Sequence, residues 1–179
     1  GDDDTYDNPW DVMSDSWRNA VANATYGTLP KHINVYQRER LGWMDAARKQ
    51  AVAYNPGTRQ QVSLDFAHLV ATANKQMLVL SMSPQADPYA GAIYVVEARK
   101  RTGTYETKLA GDAVIIHKLQ DYGTAYSIDA TTPPANVANN EGSMFKVGET
   151  WVSPDETQWV KVEAETATGF IVSVGPKPR

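Results

Sequence analysis

From Val52 onward the apolar residues of this chain cease to recur at helical spacing and begin to alternate, and that change of period confines most of the chain to β-structure. In the stretch from Thr58 to Phe66, Val62, Leu64 and Phe66 point one way while Ser63 and Asp65 point the other. Met77 to Met82 is a short apolar run between Asn74-Lys75 and Ser83-Pro84, better suited to a buried strand than to so short a helix. The strongest strands are Ala92 to Arg99 and Asp112 to Leu119, joined by a loop-like segment from Thr102 to Gly111. Further on, Met144 to Trp151, Trp159 to Ala164 and Gly169 to Val174 are spaced as successive antiparallel strands. A long polar connection over residues 120–143 precedes them.

The totals exclude several classes of function. A net charge of −4 over 179 residues supplies no basic face for nucleic acid. The one basic run, Arg99-Lys100-Arg101, reads as a solvated strand end. With no cysteine there is no disulfide framework and no thiolate chemistry. No apolar run approaches the roughly 18 to 20 residues that span a bilayer, so no membrane span is expected. The first residues, Gly1 and three aspartates, are not a signal peptide and read as the start of a fragment or processed product. Phosphate-binding glycine loops and the G-x-S-x-G nucleophile elbow are absent from the sequence.

Ahead of the alternating region the chain is acidic and turn-forming. Asp2, Asp3, Asp4, Asp7, Asp11 and Asp15 crowd the first residues, a possible calcium site by composition, although their spacing is not that of an EF-hand. Trp10 and Trp17 flank a turn and suggest a loop packed onto something. Asn23-Ala24-Thr25 fits the N-glycosylation pattern. From Pro30 the spacing of Ile33, Tyr36 and Arg40 predicts a helix of about three turns, with Gly42 as a left-handed stop and Trp43 as an aromatic anchor.

Several of these segments share a likeness. Tyr6-Asp7-Asn8-Pro9-Trp10-Asp11-Val12-Met13-Ser14 resembles the Met-turn of metzincin-type zinc metallopeptidases, which follows the zinc-binding helix and sets a methionine below the metal. More closely, it resembles the Tyr-x-x-Pro-Trp/Phe-Asp-Val-Met segment of secreted, immune-inhibitor-like (M6-like) metallopeptidases. His32, Tyr36, Leu41, Gly42 and Trp43 match that family's next helix. Tyr94, Glu97 and Arg99, then Gly103, Tyr105, Leu109 and Gly111, then Ile116 and His117, match a strand, loop and strand, with Ala110 where the family has proline. The segments 144–151 and 167–174 resemble its closing strands.

The resemblance implies an α+β, mostly β fold: a Met-turn loop and one short helix, followed by an antiparallel β-sandwich-like module. It divides the chain into residues 1–50, the distal part of a catalytic domain, and residues 51–179, the β module. Met13, with Asp11 and Trp10, would lie below the zinc of an intact secreted enzyme that hydrolyses proteins or peptides. The zinc ligands and general base would belong to an upstream catalytic half, because no two histidines here have the H-E-x-x-H spacing. His32, Glu97, Arg99 and His117 read as structural residues, with Glu97 and Arg99 two apart on one strand face and able to pair. A second reading is a non-catalytic β-sandwich module that binds carbohydrate or a surface protein, with Trp151, Trp159 and Phe170 either lining a sugar face or filling the core.

Overall fold

The computed structural model describes residues 8–14, 17–70, 73–85, 91, 93–119, 125–128 and 143–179. Among them the chain runs through a small hairpin, β1 (Val21–Asn23) and β2 (Gly27–Leu29), a helix α1 (Val35–Arg40), and a 3-10 turn at Ala46–Arg48. The strands β3 (Lys49–Val52), β4 (Gln60–Asp65), β5 (Met77–Ser81), β6 (Ile93–Arg99), β7 (Ala113–Leu119), β8 (Ala125–Ser127), β9 (Thr150–Val152), β10 (Trp159–Glu165) and β11 (Gly169–Gly175) follow. The fold is α+β and mostly β.

Apart from the hairpin, the strands form two sheets, a four-stranded one ordered β4-β11-β10-β9 and a five-stranded one ordered β3-β5-β6-β7-β8. The last three strands form the expected antiparallel meander. One pairing departs from an all-antiparallel arrangement: β3 runs parallel to β5, because the chain passes through β4 in the other sheet before returning.

Alternation places one face of each sheet against the other. Val62, Leu64, Val160, Val162, Phe170, Val172 and Val174 meet Leu78, Leu80, Tyr94, Val96, Val114 and Ile116 in one apolar layer. Each such side chain, fully buried, contributes about 1.5–3 kcal/mol. Trp151 and Phe170 lie in this layer, whereas Trp159, also buried, is on the opposite face of β10 with Arg59 Cζ 6.0 Å from its ring centroid. Gly169 sits where β11 crosses β4, and a Cβ there would lie 1.9 Å from the Leu64 carbonyl oxygen.

The outer face of the five-stranded sheet is covered as well, which is why β6 is buried at every residue. Val35, Ala67, Tyr36 and Met44 pack on Met77, Val79, Ile93, Val95 and Leu119. Trp10 packs with Leu109, Ala113, Ile115 and Met144 toward the other end.

Several expectations need correction. The helix begins at Val35 and not near Pro30, because Asn34 takes the N-cap position and accepts a bond from the Gln37 amide at 2.8 Å. Its end is as expected: Gly42 is left-handed, with φ +73, and its amide and that of Trp43 bond to Glu39 and Arg38 in a Schellman arrangement. Trp43 is 66% exposed and Trp17 is 78% exposed, so neither is an anchor. Arg99 is fully buried, leaving only Lys100 and Arg101 of the basic run toward solvent. In the segment 144–151 only Thr150 and Trp151 belong to a strand, and Phe145 makes an isolated bridge to Val114. His68, which from its place at the end of the Thr58–Phe66 alternation reads as lying on a strand, lies in the turn after β4.

Candidate functional site

Alternation along β6 and β7 aims Glu97, Arg99 and His117 at the outer face, beneath the N-terminal segment. Glu97 and Arg99 are fully buried and 3.1 Å apart, and His117 is a diagonal cross-strand neighbour with its Nε2 3.0 Å from Glu97 Oε1. Here the polar face of the strand is covered by main chain that needs hydrogen-bond partners.

The turn of residues 8–14 lies directly on this group. Arg99 Nη1 donates to the Trp10 carbonyl at 2.8 Å, and Nη2 donates to the His32 carbonyl at 3.2 Å and to Glu106. The other oxygen of Glu97 accepts the Val35 amide at 3.0 Å, just inside the start of α1. Asn8 Nδ2 donates to the Ala125 carbonyl at 2.7 Å and faces His117 Nδ1 at 3.0 Å. An amide donor on Nδ1 leaves the imidazole proton on Nε2, where it is donated to Glu97. The network thus assigns the tautomer of His117 through its partners.

Within the turn, each polar side chain closes a local bond. Asn8 Oδ1 accepts the Trp10 amide at 3.0 Å, Asp11 Oδ1 accepts the Met13 amide at 3.0 Å, and Ser14 Oγ accepts the Asn8 amide at 3.2 Å. Those are the Asx-type bonds that make Asn, Asp and Ser turn formers. Trp10 is fully buried and its indole donates to Ser143 Oγ at 2.8 Å. Met13, by contrast, is 64% exposed. The turn is fastened from below and presents its methionine outward.

The electrostatics follow from burial and charge. Burial by itself pushes the Glu97 carboxyl up, but Arg99 beside it, the His117 bond and the Val35 amide outweigh burial and hold it down at about 2. For Arg99 burial acts to lower the pKa, and the carboxylates Glu97 and Glu106 more than reverse this. Burial raises Asp11, only partly offset by the Met13 amide. Burial lowers both His32 and His68.

The turn residues and the four residues read as structural therefore belong to one neighbourhood. Trp10 and Asp11 form the turn, His32 lends its carbonyl and packs its ring on Tyr105 at 5.1 Å, and Glu97, Arg99 and His117 form the floor. Sequence reasoning missed Glu106, Asn8 and Asn34, which no periodicity marks. Asn8 and Asn34 carry the usual turn and cap signal, but Glu106 lies in a loop and carries none. Among the described residues, no group of three or more His, Asp or Glu side chains is placed to hold a metal. Of the aspartates considered for calcium, Asp2, Asp3, Asp4, Asp7 and Asp15 lie outside the described residues, and Asp11 is engaged within the turn. No helix among the described residues is long and apolar enough to cross a membrane.

No protein-family model matches the chain, and no curated protein and no solved structure is detectably similar to it.

Proposed function

We propose that this chain is the C-terminal portion of a secreted zinc-dependent metalloendopeptidase that acts on proteins, contributing the turn below the metal and the β module that supports it. The observation that carries this reading is the 64% exposure of Met13 on a turn whose neighbours Trp10 and Asp11 are buried. The exposed thioether is not packed in this chain, yet the Met13 amide is held by the buried Asp11 side chain at 3.0 Å. Such a setting suits a residue that meets a partner surface. Here the partner is the upstream catalytic half with the H-E-x-x-H helix, whose zinc would polarise the scissile carbonyl and activate water.

The residues of this chain supply no zinc ligand and no general base in that scheme. His32 is turned onto Tyr105 and His117 is engaged at both nitrogens. Their role is to hold the turn and the start of α1 in place.

Purified alone, the chain should bind no stoichiometric zinc and should not hydrolyse casein. Joined to a segment carrying H-E-x-x-H, it should do both, and Met13→Ala should then reduce hydrolysis while changing the stability of the isolated chain by no more than about 0.5 kcal/mol. Stoichiometric zinc together with proteolysis by the isolated chain would overturn the assignment of the ligands to another segment.

A further inference from the structure

We propose that the groove between the β3–β4 connection and the segment after β11 binds an anionic oligosaccharide, whose sulfate or carboxylate groups pair with Arg59, Lys177 and Arg179. Together with Thr58, Pro176 and Pro178, these residues line a cavity of about 750 Å³, a size that suits a small ligand. Its lining holds three cationic side chains and no acidic one, in a chain whose net charge is −4. Arg59 and Arg179 have no side-chain hydrogen bond or ion pair among the described residues. Lys177 is paired with Glu156 at 2.8 Å, but both side chains are exposed, so the pair is worth little and yields to a better acceptor. The groove thus carries more cationic N–H groups than its own surroundings satisfy.

The main chain and Trp159 hold these cations in place. Gly175 has φ +140, and a Cβ there would lie 2.8 Å from both Arg59 Cα and the Thr58 carbonyl oxygen, so the end of β11 and the chain entering β4 are in direct contact. On the outer face of the sheet Arg59 Cζ lies 6.0 Å from the ring centroid of Trp159, which is buried and stands opposite Gly175. A guanidinium seated on an aromatic ring keeps its N–H fork free, and that fork matches two oxygens of a sulfate or carboxylate. Pro176 and Pro178 fix their own φ angles, which lowers the entropy lost when Lys177 and Arg179 are ordered on a ligand. A sugar fits this setting better than an acidic peptide does. Peptides are read by bonds to an open strand edge or by apolar pockets for their side chains. Here β11 is bonded to β4 on one side and to β10 on the other, as far as Val174 and Gly175, and the lining holds no large apolar side chain. What remains is cation and hydroxyl, the complement of a polyhydroxylated anion.

Titration calorimetry and amide NMR shifts of the intact chain test this with four probes: a heparin-derived hexasaccharide, a hyaluronan hexasaccharide that carries carboxylates alone, neutral maltohexaose, and a hexaglutamate peptide. At least one of the two anionic sugars should bind, moving the amides of Thr58, Arg59, Lys177 and Arg179 and the indole N–H of Trp159, and which of them binds tells sulfate from carboxylate. Raising the salt from about 0.05 M to about 0.5 M should weaken that binding. Arg59→Ala should weaken it by about tenfold or more without moving the midpoint of thermal unfolding, and Arg59→Lys, which keeps the charge but not the fork, should restore only part of the loss. No binding of either anionic sugar, equal binding of maltohexaose, tighter binding of hexaglutamate, unchanged affinity in Arg59→Ala, or shifts confined to other residues would each overturn the proposal.

Discussion

Glu97 shows most directly what a single buried residue does here. Its carboxylate is stabilised by Arg99, His117 and the Val35 amide, and the ordinary value of 4.5 falls to about 2. A depressed carboxyl contributes stability that is complete above its unfolded value and is lost as the pH falls through the folded value. The window is therefore about 4.5 down to about 2, and the contribution is about 3 kcal/mol. Glu97→Gln should cost about 3–5 kcal/mol at neutral pH, since it leaves Arg99 facing an uncharged group, and urea unfolding at a series of pH values should show a flatter acid limb. At Gly169, Ala should be severely destabilising, because its Cβ would fall 1.9 Å from the Leu64 oxygen and 2.7 Å from Asp65 Cα, both main-chain atoms of β4. Thermal unfolding of that variant checks the close approach of β11 to β4. That Glu97 and Arg99 share a face is legible from their spacing alone. That they are buried is not, because the covering atoms come from residues 10, 32 and 35, far away along the chain.

Among the elements, α1 is short enough for its ends to decide its stability. A six-residue helix has few internal bonds of its own, and the Asn34 cap and the Gly42 stop act on a large share of it. Asn34→Ala should destabilise by about 1 kcal/mol through loss of the bond to the Gln37 amide. Gly42→Ala should cost about 1 kcal/mol by strain alone, since its φ is +73 and no atom lies within 4 Å of the added methyl. Chemical denaturation of both variants separates the two ends. The apolar spacing from Ile33 suggested a longer helix than exists. The cap won because the Asn34 side chain satisfies an amide of the first turn and Glu97 takes another, leaving residues 30–33 outside the helix. The strands β1, β2, β3 and β8 escaped the sequence reading because each has only three or four residues, too few to display a period.

At the scale of the molecule, the two sheets share one apolar layer, and neither is buried on that face without the other. Phe170→Ala, on β11, should therefore cost about 3–5 kcal/mol and lower the protection of Val96 on β6 as well as that of Val172 beside it, as hydrogen exchange of the variant would record. The N-terminal segment is attached differently. Its contact includes the apolar packing of Trp10 and Val35, but the floor between them is ionic. Of the eight large apolar side chains left exposed among the described residues, five, Met13, Trp17, Tyr26, Leu41 and Trp43, belong to residues 13–43, and Val70, Tyr105 and Val147 lie elsewhere. The surface that remains unsatisfied is thus concentrated on the segment that also carries the turn.

Taken alone, the sequence determined the strands of five or more residues, from alternation or from a short apolar run, the left-handed stop at Gly42, the turn-forming character of residues 8–14, and the common face of Glu97 and Arg99. These are consequences of period and of local hydrogen bonding, and a residue's near neighbours suffice to specify them. Only the tertiary structure decided that β3 joins the five-stranded sheet in parallel, that Trp10 is buried while Trp17 and Trp43 are exposed, and that Glu106 completes the ion network. Those outcomes depend on which distant segment covers a given face. Burial, and with it the strength of the charge interactions beneath the turn, belongs to that assembly and not to the local chain.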